Sequence, residues 1–207
     1  MEKIEIGSPA VFGGLTWRVL DVHKDAALMI TEEIIEQRAY HDAYCDITWA
    51  GCGLREYLNG EFYERFNSSD KSRIIQVVNK NPDNPWYGTA GGDDTQDRVF
   101  ILSLEEAVCK YFGDSGALLY NRREKQRYWF ERKDENNHKR DASYKGLGWW
   151  WWLRTPGRNY LKAVYIWGGS GVVGIQGNNI LKCNVGGPFH PEGDNRGGVR
   201  PALWLKI

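Results

Sequence analysis

An α+β fold is what this sequence predicts, and three observations predict it. Short strand-like segments lie at both ends of the chain. Two segments of helical periodicity lie between them. Turn residues separate the segments at spacings that suit antiparallel strands and long loops.

The elements follow in order. Ile4 and Ile6 alternate with charges, which predicts a first strand. Gly13-Gly14 predicts a tight turn. Trp17, Val19, Leu20 and Val22 predict a second strand, Asp25 a turn, and Ala27 to Ile30 a short apolar strand. Together these read as a β-meander. Leu54, Tyr57, Leu58, Phe62 and Phe66 recur at helical spacing, with Asn59-Gly60 weakening the middle. The stretch 79–97 holds Pro82, Pro85, Gly88, Gly91 and Gly92 and reads as a long surface loop. Val99 to Leu102 reads as a strand. Ser103-Leu104-Glu105-Glu106 is a capping box that opens a second helix, ending near Gly113.

A second irregular stretch covers 121–148. Its nine Lys/Arg and five Asp/Glu between Arg122 and Lys145 read as a solvated loop rather than a basic patch. Further strands are predicted over 149–154, 163–167, 172–176 and 199–206. The length, 207 residues, suits one domain spanning 1–207, with loop-rich insertions near 79–97 and 121–148.

Composition narrows the function classes. Ten Trp and eleven Tyr suit both cores and binding faces. The 27 basic and 27 acidic residues cancel, so nothing asks for a nucleic-acid partner. No apolar run approaches the roughly 20 residues of a membrane span. The first residues lack the apolar core of a signal peptide, so a cytoplasmic location is expected. Cys45, Cys52, Cys109 and Cys183 lack the close pairing of a zinc site and read as reduced, small hydrophobes.

Three motifs look catalytic in spelling only. Gly113-Asp114-Ser115-Gly116 resembles a protease nucleophile segment, but it follows a helix and lacks the pattern of a His base. Gly169 to Gly174 spells GxGxxG, yet Ile175-Gln176-Gly177-Asn178-Asn179 follows, which denies the helix a dinucleotide site needs. Asp93, Asp94 and Asp97 lack the alternating ligands of a calcium loop. No metal ligand, cofactor or catalytic residue is therefore assigned.

The C-terminal quarter carries a resemblance. Trp151-Trp152-Leu153-Arg154-Thr155-Pro156-Gly157 opens it, and Gly197-Gly198-Val199-Arg200-Pro201-Ala202-Leu203-Trp204-Leu205 closes it. In the N-terminal half, Trp17-Arg18-Val19-Leu20-Asp21, Leu28-Met29-Ile30-Thr31-Glu32, Thr48-Trp49, Cys52-Gly53-Leu54-Arg55 and Val99-Phe100-Ile101-Leu102-Ser103 fit the same pattern. The set resembles a bacterial and phage family of C-type-lectin-like fold. Some of its members are the variable proteins of diversity-generating retroelements. The resemblance implies a non-catalytic, cytoplasmic or phage-associated binding protein whose region 149–207 is rewritten at selected codons. Related formylglycine-generating enzymes share that fold, but they use paired cysteines near the C-terminus, where this chain has only Cys183.

Between the two framing motifs, the expected ligand-binding residues are Arg158, Asn159, Tyr160, Leu161, Lys162, Tyr165, Trp167, Val173, Ile175, Gln176, Asn178, Asn179, Leu181 and Lys182. Strand alternation over 163–167 puts Tyr165 and Trp167 outward as aromatic anchors among polar neighbours. A competing reading buries both beneath the loop 184–196. The stretch 182–195, with Phe189 and His190, exceeds the length the resemblance leads one to expect, and either covers or enlarges the face. Arg154 and Arg200 sit in apolar strands, so they are expected to be buried and bonded to carbonyls or carboxylates as scaffold. At least two rings of Trp149 to Trp152 are expected in the core. A protein ligand is expected before a glycan, because the segment offers few acidic residues for calcium-dependent sugar binding. The alternative is a self-associating structural or phage assembly component.

Overall fold

The computed structural model describes residues 4–121, 134–181 and 195–207. The first strands form where the turn chemistry asks for them. β1 (Pro9–Phe12) and β2 (Leu15–His23) pair through Phe12 and Leu15 across the Gly13-Gly14 loop. Both glycines have positive φ, +56° and +76°, as a primed two-residue turn requires. A second two-residue loop, Lys24-Asp25, joins β2 to β3 (Ala26–Thr31), with His23 opposite Ala26. Ile4 and Ile6 precede β1 and belong to no strand, because Gly7 turns the chain at φ +86° before pairing begins.

The chain then adds β4 (Glu36–Gln37), β5 (Ile74–Ile75), β6 (Val77–Asn79) and β7 (Thr95–Asp97). The C-terminal half adds β8 (Ser143–Tyr144), β9 (Leu147–Gly148), β10 (Trp151–Pro156), β11 (Lys162–Ile166), β12 (Val173–Asn179), β13 (Gly198–Val199) and β14 (Ala202–Lys206). One five-stranded sheet runs β1-β2-β3-β14-β5, and the other runs β12-β11-β10-β13-β4. The last strand thus lies beside β3, so residues near the two ends of the chain share one sheet. Pairing is antiparallel except between β10 and β13, where Trp151 faces Gly198 in parallel. The α+β class with mostly antiparallel strands agrees with the sequence; the parallel pair was not foreseen.

The first predicted helix forms with a widened middle. α1 (Gly53–Tyr57) continues into a π-turn at Leu58–Phe62. That turn contains Asn59-Gly60. The Asn59 amide donates to Val99 O at 2.9 Å, and its oxygen accepts from Arg98 N at 2.7 Å. The widened turn therefore ties the helix to the following extended segment. Two short helices were not predicted, α2 (Ser68–Arg73) and α3 (Gly116–Leu119). The capping box is made as predicted: Ser103 N donates to Glu106 Oε2 at 2.9 Å, and Glu106 N donates to Ser103 Oγ at 3.1 Å.

Two expectations need correction. Val99 to Leu102 is buried and extended, but it joins a sheet only through a bridge from Phe100 to Ala202. The stretch 79–97 is more than a surface loop. Its ends pair as β6 and β7, and Asn79, Asn84, Thr95 and Asp97 are buried. Asp97 was weighed as a cation ligand; it is instead an internal hub. Its carboxylate accepts from Trp49 Nε1 at 3.1 Å, Arg55 Nε at 2.6 Å, Asn79 Nδ2 at 2.9 Å and Thr95 Oγ1 at 2.7 Å. A buried charge surrounded by donors holds four separate segments in one arrangement.

The core runs through both sheets. Trp149, Trp150, Trp151 and Trp152 are all buried, so the expected minimum of two is exceeded. Arg200 lies where the chain passes from β13 to β14, that is, from one sheet to the other. It is fully buried. Its Nε donates to Thr31 O at 2.9 Å and its Nη2 to Glu32 O at 3.2 Å, on the strand-to-strand crossing that runs the opposite way. The scaffold role expected for Arg200 matches this geometry. Replacing Arg200 by Ala leaves the Thr31 and Glu32 carbonyls short of a donor and opens a void. The expected loss is about 3 kcal/mol, read by calorimetry as a fall of roughly 6–12 °C in Tm. An unchanged Tm would contradict the role.

Candidate functional site

The surface with most of the predicted site residues is built on β10, β11 and β12. β10 is buried along its whole length and supplies the rigid base. Arg154 anchors it. Its Nη1 donates to Ile101 O at 2.9 Å and Glu106 Oε2 at 2.5 Å, and its Nη2 to Lys80 O at 3.0 Å and Glu106 Oε1 at 2.8 Å. One side chain thus fastens the strand to the 79–97 stretch and to the capped helix, as expected of a scaffold arginine. Asn84 fastens the same stretch from below: its amide donates to Pro156 O at 2.9 Å and Ile175 O at 3.0 Å.

The turn from β10 to β11 is closed tightly. Gly157 N donates to Lys162 O at 2.7 Å, and Arg158 N donates to Gln176 O at 2.9 Å. A Cβ on Gly157 would lie 2.6 Å from Gln176 O and 2.9 Å from Gly177 Cα, so only glycine lets the two chains touch there. The Asn159 side chain accepts from Leu161 N at 3.2 Å and shapes the tip. Arg158 and Asn159 are exposed; Tyr160, Leu161 and Lys162 are half-buried. Gln176, Asn179 and Leu181 are half-buried as well. In the β11–β12 register Lys162 faces Asn179.

Four predicted site residues are inside instead. Tyr165, Val173, Ile175 and Asn178 are buried. Tyr165 pairs with Gly174, and a Cβ there would lie 2.2 Å from the tyrosine ring, so the ring occupies the room that glycine leaves. Its ring packs edge-on to Trp150 at 5.6 Å and to Trp167 at 5.3 Å. Trp167 is half-buried rather than an outward anchor. Alternation failed as a guide because β11 is a central strand whose two faces are both packed. Lys182 and the loop residues Phe189 and His190 lie outside the described residues.

Sequence reasoning missed the opposite wall. Asp46, Ile47, Thr48 and Gly51 line an open groove of about 300 Å³ with Tyr160. Ile47 N donates to Tyr160 O at 3.3 Å, which holds that wall against the loop tip. No periodicity marks residues 46–51; only the contact with Tyr160 reveals them. A second cavity of about 230 Å³ lies between the first hairpin and the first helix, lined by Leu15, Ile35, Phe62 and Phe66 with Glu36 and Arg65. Its charged groups are already engaged, Glu36 by the Tyr57 hydroxyl and Arg65 by Glu61.

The motifs of catalytic spelling serve structure. Ser115 Oγ donates to Asp134 Oδ1 at 2.7 Å and accepts from Asn136 Nδ2 at 3.0 Å, inside a buried turn. The stretch 169–174 enters β12, not a helix. Burial pushes the Cys52 thiol up to about 12 and the Cys109 thiol up to about 11, against the thiolate form. Among the described residues, no three His, Cys, Asp or Glu side chains converge to hold a metal ion. No helix among them is long and apolar enough to cross a membrane.

Burial alone would raise the Glu106 carboxyl, but the Arg154 charge and its hydrogen bonds outweigh it and hold the group below the ordinary carboxylate range. A carboxyl depressed in the folded state stabilises above its unfolded pKa, and that contribution is lost as pH falls through the folded value. Glu106→Gln keeps the cap to Ser103 and removes the charge. It is expected to lose about 3 kcal/mol at neutral pH. The difference in Tm from the parent should shrink as the pH is lowered through the acid range. A gap that stays constant with pH would contradict the ion pair's role.

A family profile described as "Domain of unknown function (DUF6273)" matches residues 24–207. No curated protein and no solved structure matches the chain.

Proposed function

The chain belongs to the DUF6273 family, a premise that brings no activity with it, and we propose from the geometry that it is a non-catalytic ligand-binding protein. In this reading the fold is C-type-lectin-like and the ligand is a protein rather than a glycan. The surface from Arg158 to Leu181 is the part that a diversity-generating retroelement would rewrite.

One contrast carries the reading. Both framing motifs are locked inside: the four consecutive tryptophans, Arg154 and Arg200 are buried. The loop between them, Arg158 to Lys162, is exposed or half-buried and edges a groove. A rigid frame that presents a tip free of core duties can change its tip without unfolding. The adjacency of β3 and β14, which brings the two ends of the sequence into one sheet, supports the lectin-like topology. Aromatic and amide residues at the tip, Tyr160, Asn159, Gln176 and Asn179, are paratope-like in chemistry. The buried placement of Tyr165 and its partners narrows the surface to the loop and the outward positions of β12.

A self-associating assembly component is the second reading. It would use exposed apolar residues, and among the described residues these are scattered along the chain, from Val11, Tyr44, Val78 and Tyr87 to Leu147 and Ile207, with none in the loop from Arg158 to Lys162.

Two measurements test the proposal. The gene neighbourhood should contain a reverse transcriptase and a near-copy of the final coding segment that differs mainly at adenines; its absence removes the diversification claim. A library randomised at Arg158, Asn159, Tyr160, Leu161, Gln176 and Asn179 should fold in most members, with stability changes within about 0.5 kcal/mol per substitution. Widespread unfolding would show that the tip is scaffold and would remove the display reading.

A further inference from the structure

We infer that the cavity between the first hairpin and the first helix is a separate binding site, for a free α-amino acid with an apolar side chain. The inference goes beyond the display surface and does not depend on it.

The cavity has an apolar end and a charged end, and burial sets their order. Phe62 and Phe66 are buried at its base, Leu15 and Ile35 are half-buried along its walls, and Glu36 (half-buried) and Arg65 (exposed) stand at its rim. Ring contacts hold the base. Phe66 stacks on Phe12 at 5.4 Å and meets Phe62 edge-on at 5.6 Å. Gly13, at φ +56°, makes room for the Phe66 ring: a Cβ there would lie 2.3 Å from it. Rings fixed by one another give a preformed apolar recess.

The charges at the rim are engaged on one side only. Glu36 accepts the Tyr57 hydroxyl through Oε1, and its Oε2 lies 3.9 Å from Arg38 Nε. Arg38 is laid over the Tyr57 ring at 3.7 Å, so the carboxylate is fixed by two neighbours that also hold each other. Arg65 Nη2 donates to Glu61 Oε1 at 2.9 Å, in an exposed pair one helical turn apart. Such a pair contributes little, so the guanidinium can turn to a ligand at small cost. Glu36 and Arg65 line one cavity without pairing with each other; their ion-pair partners are Arg38 and Glu61. After these bonds a carboxylate keeps further lone pairs and a guanidinium further N–H groups.

This arrangement specifies the ligand. The volume, about 230 Å³, falls below the roughly 300–1,000 Å³ of sites for drug-sized molecules, which limits the occupant to one small side chain and its head group. A monocarboxylate would meet Arg65 and be opposed by Glu36; an amine would meet Glu36 and be opposed by Arg65. A zwitterion satisfies both, with its carboxylate on the guanidinium, its ammonium on Glu36 and its side chain on Phe62 and Phe66. The terminal residue of a peptide carries only one of the two charges, so the free amino acid fits better than a peptide end.

The test is calorimetric titration of the full chain with L-phenylalanine and L-leucine, against glycine, L-phenylalaninamide and N-acetyl-L-phenylalanine. Both apolar amino acids should bind saturably. The two analogues, each lacking one charge, should bind roughly tenfold more weakly, and glycine should not bind. Glu36→Gln keeps an acceptor for Tyr57, and Arg65→Gln alters an exposed side chain, so each should keep the parent Tm and lower the affinity roughly tenfold. Amide shifts on titration should fall at residues 13–15, 35–36 and 62–66. Failure of both apolar amino acids to bind the parent chain, or shifts elsewhere, overturns the site. Equal binding of glycine overturns the role of the apolar recess. Equal binding of either analogue reassigns the occupant to a peptide end and overturns the free amino acid. Unchanged affinity in both variants overturns the role of the rim charges. The parent titrations decide the matter even where a variant fails to fold. None of these outcomes bears on the surface from Arg158 to Leu181, which the randomised library tests separately.

Discussion

The structure depends on a buried guanidinium at a crossing. Two stretches of chain pass between the two large sheets, 31–36 and 197–202, and they run antiparallel to one another. Thr31 N donates to Pro201 O at 2.9 Å, Ile35 N to Val199 O at 3.0 Å and Arg38 N to Gly197 O at 2.9 Å. Arg200 sits in the middle of this crossing and bonds the carbonyls of Thr31 and Glu32. Its guanidinium lies over the rings of Trp151 at 5.0 Å and Phe112 at 5.7 Å. Burial, with Arg18 nearby, pushes its pKa down to about 10, while Glu32, Glu33 and Asp141 act against the fall. The charge is therefore retained at neutral pH; Nε and Nη2 find their carbonyls only when both crossings are in place, while Nη1 is buried without a hydrogen-bond partner among the described residues.

The rest of the frame follows the same logic of charge held by several segments at once. Arg154 joins β10, the 79–97 stretch and the capped helix; Asp97 joins the first helix, the short 3₁₀ turn at Trp49 and the β6–β7 ribbon. Arg140 is fully buried with Asp134, and its backbone oxygen receives Trp151 Nε1 at 3.2 Å. Such groups cannot be satisfied piecemeal, so partial opening of the frame leaves several of them short of partners. Among the described residues, the tip from Arg158 to Leu161 takes no part in these networks except through backbone contacts. That separation of duties lets one end of a sheet present chemistry while the remainder holds still.

The tip also shows how backbone contact and side-chain freedom divide. Gly157 and Gly177 touch, Arg158 N reaches Gln176 O, and Ile47 N reaches Tyr160 O, so the path of the loop is set by main-chain atoms. Arg158 is exposed, Lys162 is half-buried, and Tyr160 lines the groove. Substitution there changes what the surface offers without changing how it is held.

Local order was legible in the sequence wherever one short-range rule acts alone. Gly13-Gly14 determined a primed turn because few residues accept two consecutive positive φ angles. Ser103 to Glu106 determined a cap because each group satisfies an amide that the other leaves orphaned. The framing arginines and the tryptophan run declared themselves as scaffold, since a charge or large rings in an apolar strand must find partners inside. What only the tertiary structure decided was exposure in the binding quarter. Tyr165 alternates as an outward residue should, yet β11 is flanked by β10 and β12 and packed on both faces, and Gly174 leaves room for the ring to lie inside. The far wall, Asp46 to Gly51, meets Tyr160 from more than a hundred positions earlier in the chain. No local pattern encodes such a meeting; it exists only in the folded chain, where Ile47 N reaches Tyr160 O.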